Sequence, residues 1–388
     1  MTSFDFHTVI ARKGTDAKKW AAYPADVLPM WVADMDFAAP PSVTEALRAR
    51  VEHGVFGYGL PQDAFRQQIV DDMQAKYGWA ISPDDIVFLP GVEPGFNMAL
   101  KSETKPGDGL LIQTPVYHPI LTAHRHWGLE NIEAPLVATR DGYEMDAADL
   151  DAAMATSRAF LLCNPHNPTG KVFTHADLSA IAASAIRHDV LVISDEIHCE
   201  LLFDGRRHIP IASLSPEIAK RTITLMSASK TYNIAGLKTA FAIVTNADLR
   251  KRFNNSRLGL VDSVNVLGLE ASRAAYATAG AWREALLTYL QGNRDYLQAE
   301  ITRRFPKIRI APAESTYLAW LDCTALDLPE APQSFFLNHG RVAFSAGADF
   351  GENHSQFLRI NFGCPRTLLE EGLTRMEAAL SSPNLAWS

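Results

Sequence analysis

Four short apolar runs dominate the middle of the chain: "GLLIQT" (109–114), "AFLLCN" (159–164), "VLVISDE" (190–196) and "TITLMS" (222–227). They are apolar throughout rather than alternating, the pattern of strands buried on both faces of a parallel sheet. Between the second and third lies "THADLSAIAASAIRHD", where Leu178, Ile181, Ala182, Ala185 and Ile186 fall on one helical stripe. Thr174 is placed to cap that helix, with Asp177 three residues on as its capping-box partner. Strand, helix and strand at this spacing make a βαβ unit, so the pattern predicts an α/β fold with a mostly parallel, doubly wound sheet. Further on, one long helical stretch is expected from about Leu267 to Phe305, followed by the strand-like "IRIAPAESTYLAWLDC" and "FLRINFG". These point to a second, smaller C-terminal α/β domain. The first 40 or so residues are rich in Trp and Pro and lack periodicity, as expected of a segment that packs on another domain or a second subunit. The expected organisation is therefore an N-terminal segment (1–45), a large domain (46–280) and a small domain (281–388).

Composition changes this picture little. Of the 388 residues 47% are apolar and 21% charged, so a large core is affordable without unusual chemistry. The net charge of −8 argues against nucleic acid or an anionic membrane as the main partner, since both select basic surfaces. Cys163, Cys199, Cys323 and Cys364 are far apart and lie in or beside apolar runs, the usage of reduced thiols in a cytoplasmic protein. The start "MTSFDFHTVIARKG" does not read as a secretory signal, and no apolar stretch approaches the ~20 residues of a membrane span. His118, His124 and His126 have no supporting Cys or carboxylate cluster nearby, and no metal site is expected there.

Each buried run is followed at once by a polar or turn-rich cluster: "PVYHP", "PHNPTG", the stop at Asp195, and "ASK". In an open parallel sheet ligands bind beyond the carboxyl ends of the strands, so the four clusters should meet in one crevice. Together they offer the carboxylate of Asp195, the amine of Lys230, Ser227, Ser229 and Lys238 as phosphate partners, the flat ring of Tyr117 and the amide of Asn167. A ligand with a phosphate, an aromatic ring, a protonatable ring nitrogen and an aldehyde would engage them all. Pyridoxal 5′-phosphate is such a ligand. The plainer alternative makes Lys230 a solvated strand-end lysine, Asp195 a helix cap, Tyr117 ordinary core and His198 a passive wall.

At this point the chain resembles the fold-type I pyridoxal-phosphate enzymes of the class I/II aminotransferase superfamily, and within it the MalY/PatB group of cystathionine β-lyases. The carrying stretches are "KKWAAYPADVLPMWVADMDF", "HGVFGYG", "CNPHNPTGKVF", "ISDEIHCEL", "SASKTYNIAGLK" and "LRINFGCPR". The resemblance implies a pyridoxal-phosphate-dependent transferase-like fold and a homodimer with shared sites. It makes Lys230 the Schiff-base lysine and base, pairs Asp195 with the ring nitrogen, sets Asn167 on the ring hydroxyl and stacks Tyr117 on the ring. It assigns the phosphate to Ser227, Ser229, Lys238 and the backbone of Val92 and Glu93, with Tyr58 reaching it from the partner subunit. Arg359 would grip the substrate carboxylate, with Asn167 and Ala33 beside it. His198 stands where many aminotransferases have Tyr, as the lyase group commonly has, and Lys238 where many have Arg. The acidic side chain of Glu93 is out of place at a phosphate loop and is expected to point away.

A lyase and a transaminase share every step up to removal of the Cα proton, and residue spacing does not separate them. The resemblance favours α,β-elimination of L-cystathionine or a related S-substituted L-cysteine. An aminotransferase of the same fold, or a non-catalytic regulatory protein, is the rival reading.

Overall fold

The computed structural model describes residues 4–381. Its larger sheet has seven strands: β1 (Ile86–Leu89), β2 (Gly109–Ile112), β3 (Glu130–Glu133), β4 (Ala159–Cys163), β5 (Leu191–Asp195), β6 (Thr222–Met226) and β7 (Ala240–Ile243). Their order across the sheet is β1-β7-β6-β5-β4-β2-β3, and only β7 runs antiparallel to its neighbours. The four runs expected from the pattern are β2, β4, β5 and β6, all buried along their length. The edge strand β3, "ENIE", is largely exposed, so it carries no apolar run to betray it.

Alternate residues of each strand feed two cores. Leu161, Ile193 and Leu225 face the helices Val92–Glu103, His118–Trp127 and Ala247–Asn255, which contribute Phe96, Ile120 and Phe253. Phe160, Leu162 and Val192 face the helix His175–Arg187 through Leu178, Ile181 and Ala185. The cap of that helix forms as expected: the Thr174 hydroxyl accepts from the Asp177 N–H while the Asp177 carboxylate accepts from the Thr174 N–H. Helices on both faces make the sheet doubly wound.

A second sheet holds β8 (Arg309–Ile310), β9 (Leu318–Asp322), β10 (Ser345–Ala346) and β11 (Phe357–Asn361) in the antiparallel order β8-β9-β11-β10. The long helix expected over 267–305 is two helices, Val266–Thr278 and Gly280–Arg304, broken at Ala279 (φ −96°, ψ 16°). The break lets two apolar stripes face different neighbours. The first buries small residues, Ala271, Ala274 and Ala275; the second buries Trp282, Leu286, Leu290 and Leu297.

The aperiodic N-terminal segment is held by tertiary contacts. Phe6 packs against Phe37, Trp282 and Tyr289 at ring-centroid distances of 5.2–5.6 Å. Leu28–Pro29 pairs in parallel with Val342–Ala343. Lys19, only 1% exposed, meets Asp36 at 2.6 Å, and Arg12 bonds both Asp34 and Asp36. A buried lysine is tolerable only with such partners. Among the described residues, no helix is long and apolar enough to cross a membrane.

Candidate active site

The strand ends do meet. A cavity of about 830 Å³ opens beyond the carboxyl ends of β1, β2, β4, β5 and β6, within the range of small-molecule sites. Its floor is the large sheet, and one wall is the backbone strap 31–33 together with Arg359 of β11. It is lined by Tyr117, Asn167, Asp195, Lys230 and Lys238, and by Val92, Glu93, His198, Ser227, Ser229, Ala33 and Arg359. Of the residues singled out from the sequence, only Tyr58 lies elsewhere. It is 96% exposed on a neighbouring groove and lines no part of this cavity in its own chain.

Asp195 ends β5 and is buried, 5% exposed, at the floor of the cavity. Burial raises its carboxyl to about 7, opposed by the Ile197 N–H at 3.1 Å and by the charge of Lys230. Lys230 follows β6, and its Nζ donates to the Ala33 carbonyl at 2.7 Å. Burial, then the repulsion of Arg359, lowers that amine to about 8, outweighing the attraction of Asp34 and Asp195. A neutral lysine is thus within reach near neutral pH, which nucleophilic or basic chemistry needs. Tyr117 carries a phenol pushed up to about 12 by burial and by Glu93 and Asp195, so it keeps its proton. The ring of His198 is lowered to about 3 by burial and by Lys230 and Arg359, so it stays neutral, with Nδ1 lacking a protein partner.

Arg359 is 6% exposed and lies over the Phe350 ring, 4.9 Å from its centroid. Its Nη1 donates to Asn167 Oδ1 (3.0 Å), and its Nη2 donates to the Trp31 carbonyl (2.8 Å) and the Ser345 hydroxyl (3.1 Å). Its Nε is buried without an acceptor. A buried guanidinium lining a cavity, with no carboxylate of the protein paired to it, is prepared for an anion.

The opposite end is also suited to an anion. The helix Val92–Glu103 begins at Gly91 with no side-chain cap, leaving its first N–H groups open. Across from it runs the loop 227–239. The Ser227 hydroxyl donates to the Thr239 carbonyl (2.7 Å) and accepts from the Ser229 N–H (3.0 Å), shaping that loop. Lys238 sits there in the left-handed region (φ 52°) with its side chain exposed. Glu93 is exposed at the rim rather than turned fully away, close enough to act on the Tyr117 phenol.

These groups fit pyridoxal phosphate. An open helix end with hydroxyls and a lysine suits the phosphate, a buried carboxylate suits a protonated ring nitrogen, and a depressed amine suits the aldehyde. Arg359 and His198 both line this cavity, and each keeps a buried polar atom, Nε and Nδ1, without a protein partner. Sequence reasoning missed the supports from far along the chain. Tyr317 donates to the same Ala33 carbonyl (2.9 Å), and Ser345 and Phe350 hold Arg359. Asn361 Nδ2 binds the Val32 and Asp34 carbonyls of the strap. No local pattern marks these residues; only the quoted strap stretch hinted at their target.

Comparison with known proteins agrees with this geometry. The cystathionine β-lyase PatB of Bacillus subtilis is 37% identical, over 95% of this chain and 98% of its own length. The crystal structure of OvoB superposes with a TM-score of 0.93 at 42% identity, covering 98% of this chain and all of that one. That of the PLP-bound C–S lyase from Staphylococcus hominis gives 0.92 at 31% identity, covering 98% and 99%. The family description "Aminotransferase class I and II" matches residues 25–376, and the chain belongs to that family.

Proposed function

We infer that the protein is a pyridoxal-phosphate-dependent carbon–sulfur β-lyase that converts L-cystathionine or a related S-substituted L-cysteine to a thiol, pyruvate and ammonia. The observation that carries this reading is the convergence of a depressed amine (Lys230), a buried carboxylate (Asp195) and a buried, partly unused guanidinium (Arg359) on one cavity. The choice of elimination over transamination is supported by the cystathionine β-lyase and C–S lyase names that several relatives carry, PatB among them.

When bound, the cofactor supplies an aldehyde that takes up the substrate amino group and a cationic ring that accepts the electron pair released at Cα. The protein's residues supply the rest. Arg359 would hold the α-carboxylate and so orient the Cα–H bond toward Lys230. The Lys230 amine, neutral above about 8, takes the Cα proton. The Asp195 carboxylate would hold the ring nitrogen in its protonated form, and that cation would in turn favour the ionised Asp195 despite its burial. Tyr117 lies along the cavity wall as an apolar face, and neutral His198 adds no competing charge. With sulfur on Cβ, the Cα–H and Cβ–S bonds both break and the electron pair leaves on sulfur. The released 2-aminoacrylate takes up water to give pyruvate and ammonia.

The same reading makes the protein a homodimer. Tyr58 is supported as a residue given to the partner's site by its 96% exposure beside an apolar band of Val55, Phe56, Leu60, Leu258 and Leu260, each more than half exposed.

The deciding assay gives purified protein L-cystathionine without any keto acid. Pyruvate and free thiol in equal amounts are expected. Brisk amino transfer to an added keto acid with no thiol released would replace this reading by an aminotransferase. Borohydride treatment of the yellow protein is expected to fix the cofactor to the peptide bearing Lys230.

A further inference from the structure

Arg359 accounts for one carboxylate, yet the cavity continues outward past it. The interval is spanned by Trp31. Its carbonyl accepts from Arg359 Nη2 at 2.8 Å, its Nε1 donates to the Lys19 carbonyl at 3.2 Å, and Lys18 Nζ lies 5.9 Å from its ring centroid. A tryptophan anchored at both ends thus separates an inner, buried cation from an outer, exposed one. Opposite is Asp349, on the turn Gly347–Phe350, which also lines the cavity. Its carbonyl accepts from His118 Nδ1 at 3.2 Å, and its negative charge acts on both Arg359 and Tyr23. Tyr23 in turn stands edge-on to Trp31 at 5.8 Å.

An exposed lysine and an exposed aspartate are usually just solvated. Three observations set this pair apart. Both line the same cavity as Lys230. Neither has an ion-pair partner among the described residues, although their neighbours Lys19, Arg12, Asp34 and Asp36 are all paired. Both are carried on held backbone, Lys18 beside the buried Lys19–Asp36 pair and Asp349 beside Phe350, whose carbonyl accepts from the Val116 N–H at 2.8 Å. An unpaired cation and an unpaired anion lining one cavity complement the carboxylate and the ammonium of an amino-acid end.

We propose that Lys18, beside Trp31, and Asp349, both lining this cavity, form a distal subsite that selects substrates whose sulfur leaving group is itself a zwitterionic amino acid. Lys18 takes the distal carboxylate and Asp349 the distal ammonium. This rests on the lyase reading above. It ranks a thioether joining two amino-acid ends over S-alkyl cysteines, which would lie against the two charges without pairing them.

The test compares wild type, Lys18→Met and Asp349→Asn on L-cystathionine and on S-propyl-L-cysteine, which has the same reacting end and no distal charge. Because the pair is water-facing, each substitution is expected to lower kcat/KM for L-cystathionine by about two- to fivefold, mostly through KM. The change with S-propyl-L-cysteine stays under about twofold. In the inactive Lys230→Ala protein, adding Lys18→Met weakens L-cystathionine binding in calorimetry by a similar factor. Equal losses on both substrates, or no loss on L-cystathionine, overturn the subsite. Wild type that releases thiol from S-propyl-L-cysteine but handles L-cystathionine no better also overturns it and leaves the lyase reading standing. Thiol release from neither substrate removes both.

Discussion

Replacing Arg359 by lysine keeps the positive charge and removes the planar fork. Asn167, Trp31 and Ser345 accept from Nη1 and Nη2 and hold the guanidinium plane, so a substrate carboxylate would meet the Nη1/Nη2 edge, sharing it with these acceptors or displacing one. A carboxylate on that edge gains two charge-assisted hydrogen bonds, each worth about 1.5–3 kcal/mol. A lysine ammonium at the same place reaches one of them at best, and without the fork it does not hold the carboxylate in register. The net loss is about 2–3 kcal/mol, or about 30- to 150-fold in kcat/KM. A second cost falls on folding, since Asn167 Oδ1 and the Trp31 carbonyl lose a donor at about 1–3 kcal/mol per group left unpaired. The assay is therefore double. Pyruvate release from L-cystathionine measures the first effect, and thermal unfolding of the holoenzyme measures the second. Cofactor absorbance should be unchanged, because Arg359 is on the wall away from the open helix end at Val92. An Arg359→Lys enzyme within twofold of wild type in kcat/KM would show that the carboxylate is held elsewhere.

The remaining predictions concern charge and assembly. In cofactor-free protein the folded Asp195 carboxyl is raised to about 7 from 3.8, so its burial is harmless below pH ~4 and costs progressively more as pH rises to 7. Asp195→Asn should therefore unfold at a higher temperature than wild type by a margin that opens between pH 4 and 7 and then levels off, on the order of 4 kcal/mol at most. A margin independent of pH would mean that Asp195 is not desolvated in solution. For the shared site, Lys230→Ala and Tyr58→Ala proteins, each impaired alone, are mixed and reassembled. Half the dimers then hold one complete site, and roughly a quarter of wild-type activity should return. No recovery would place Tyr58 in its own chain's site or outside any.

How much of this could be read in the chain differs by element. The four strands buried on both faces announced themselves, since a strand with helices above and below must be largely apolar on both faces. β3 did not, because an edge strand facing water has no such requirement. The helix break at Ala279 was also hidden, because both halves keep an apolar stripe and only their neighbours differ.

The polar residues that end the buried strands were legible for a related reason. Asp195 and Lys230 interrupt apolar runs at the point where a parallel sheet opens to a ligand, so topology alone brought them to one crevice. The amino-acid sequence by itself determined those strands, their polar ends and the local caps such as Thr174–Asp177, all set by interactions within a few residues. Only the tertiary structure decided which distant groups complete the site. Arg359 bonds Asn167 across 192 residues, Tyr317 and Lys230 share the carbonyl of Ala33, and Asn361 pins the strap from over 300 residues away. The titration of the site was decided there too. A lysine lowered to about 8 and a histidine lowered to about 3 owe those values to burial and to charges brought in from other strands. Desolvation and Coulomb interaction depend on distance in space, which local sequence pattern does not encode.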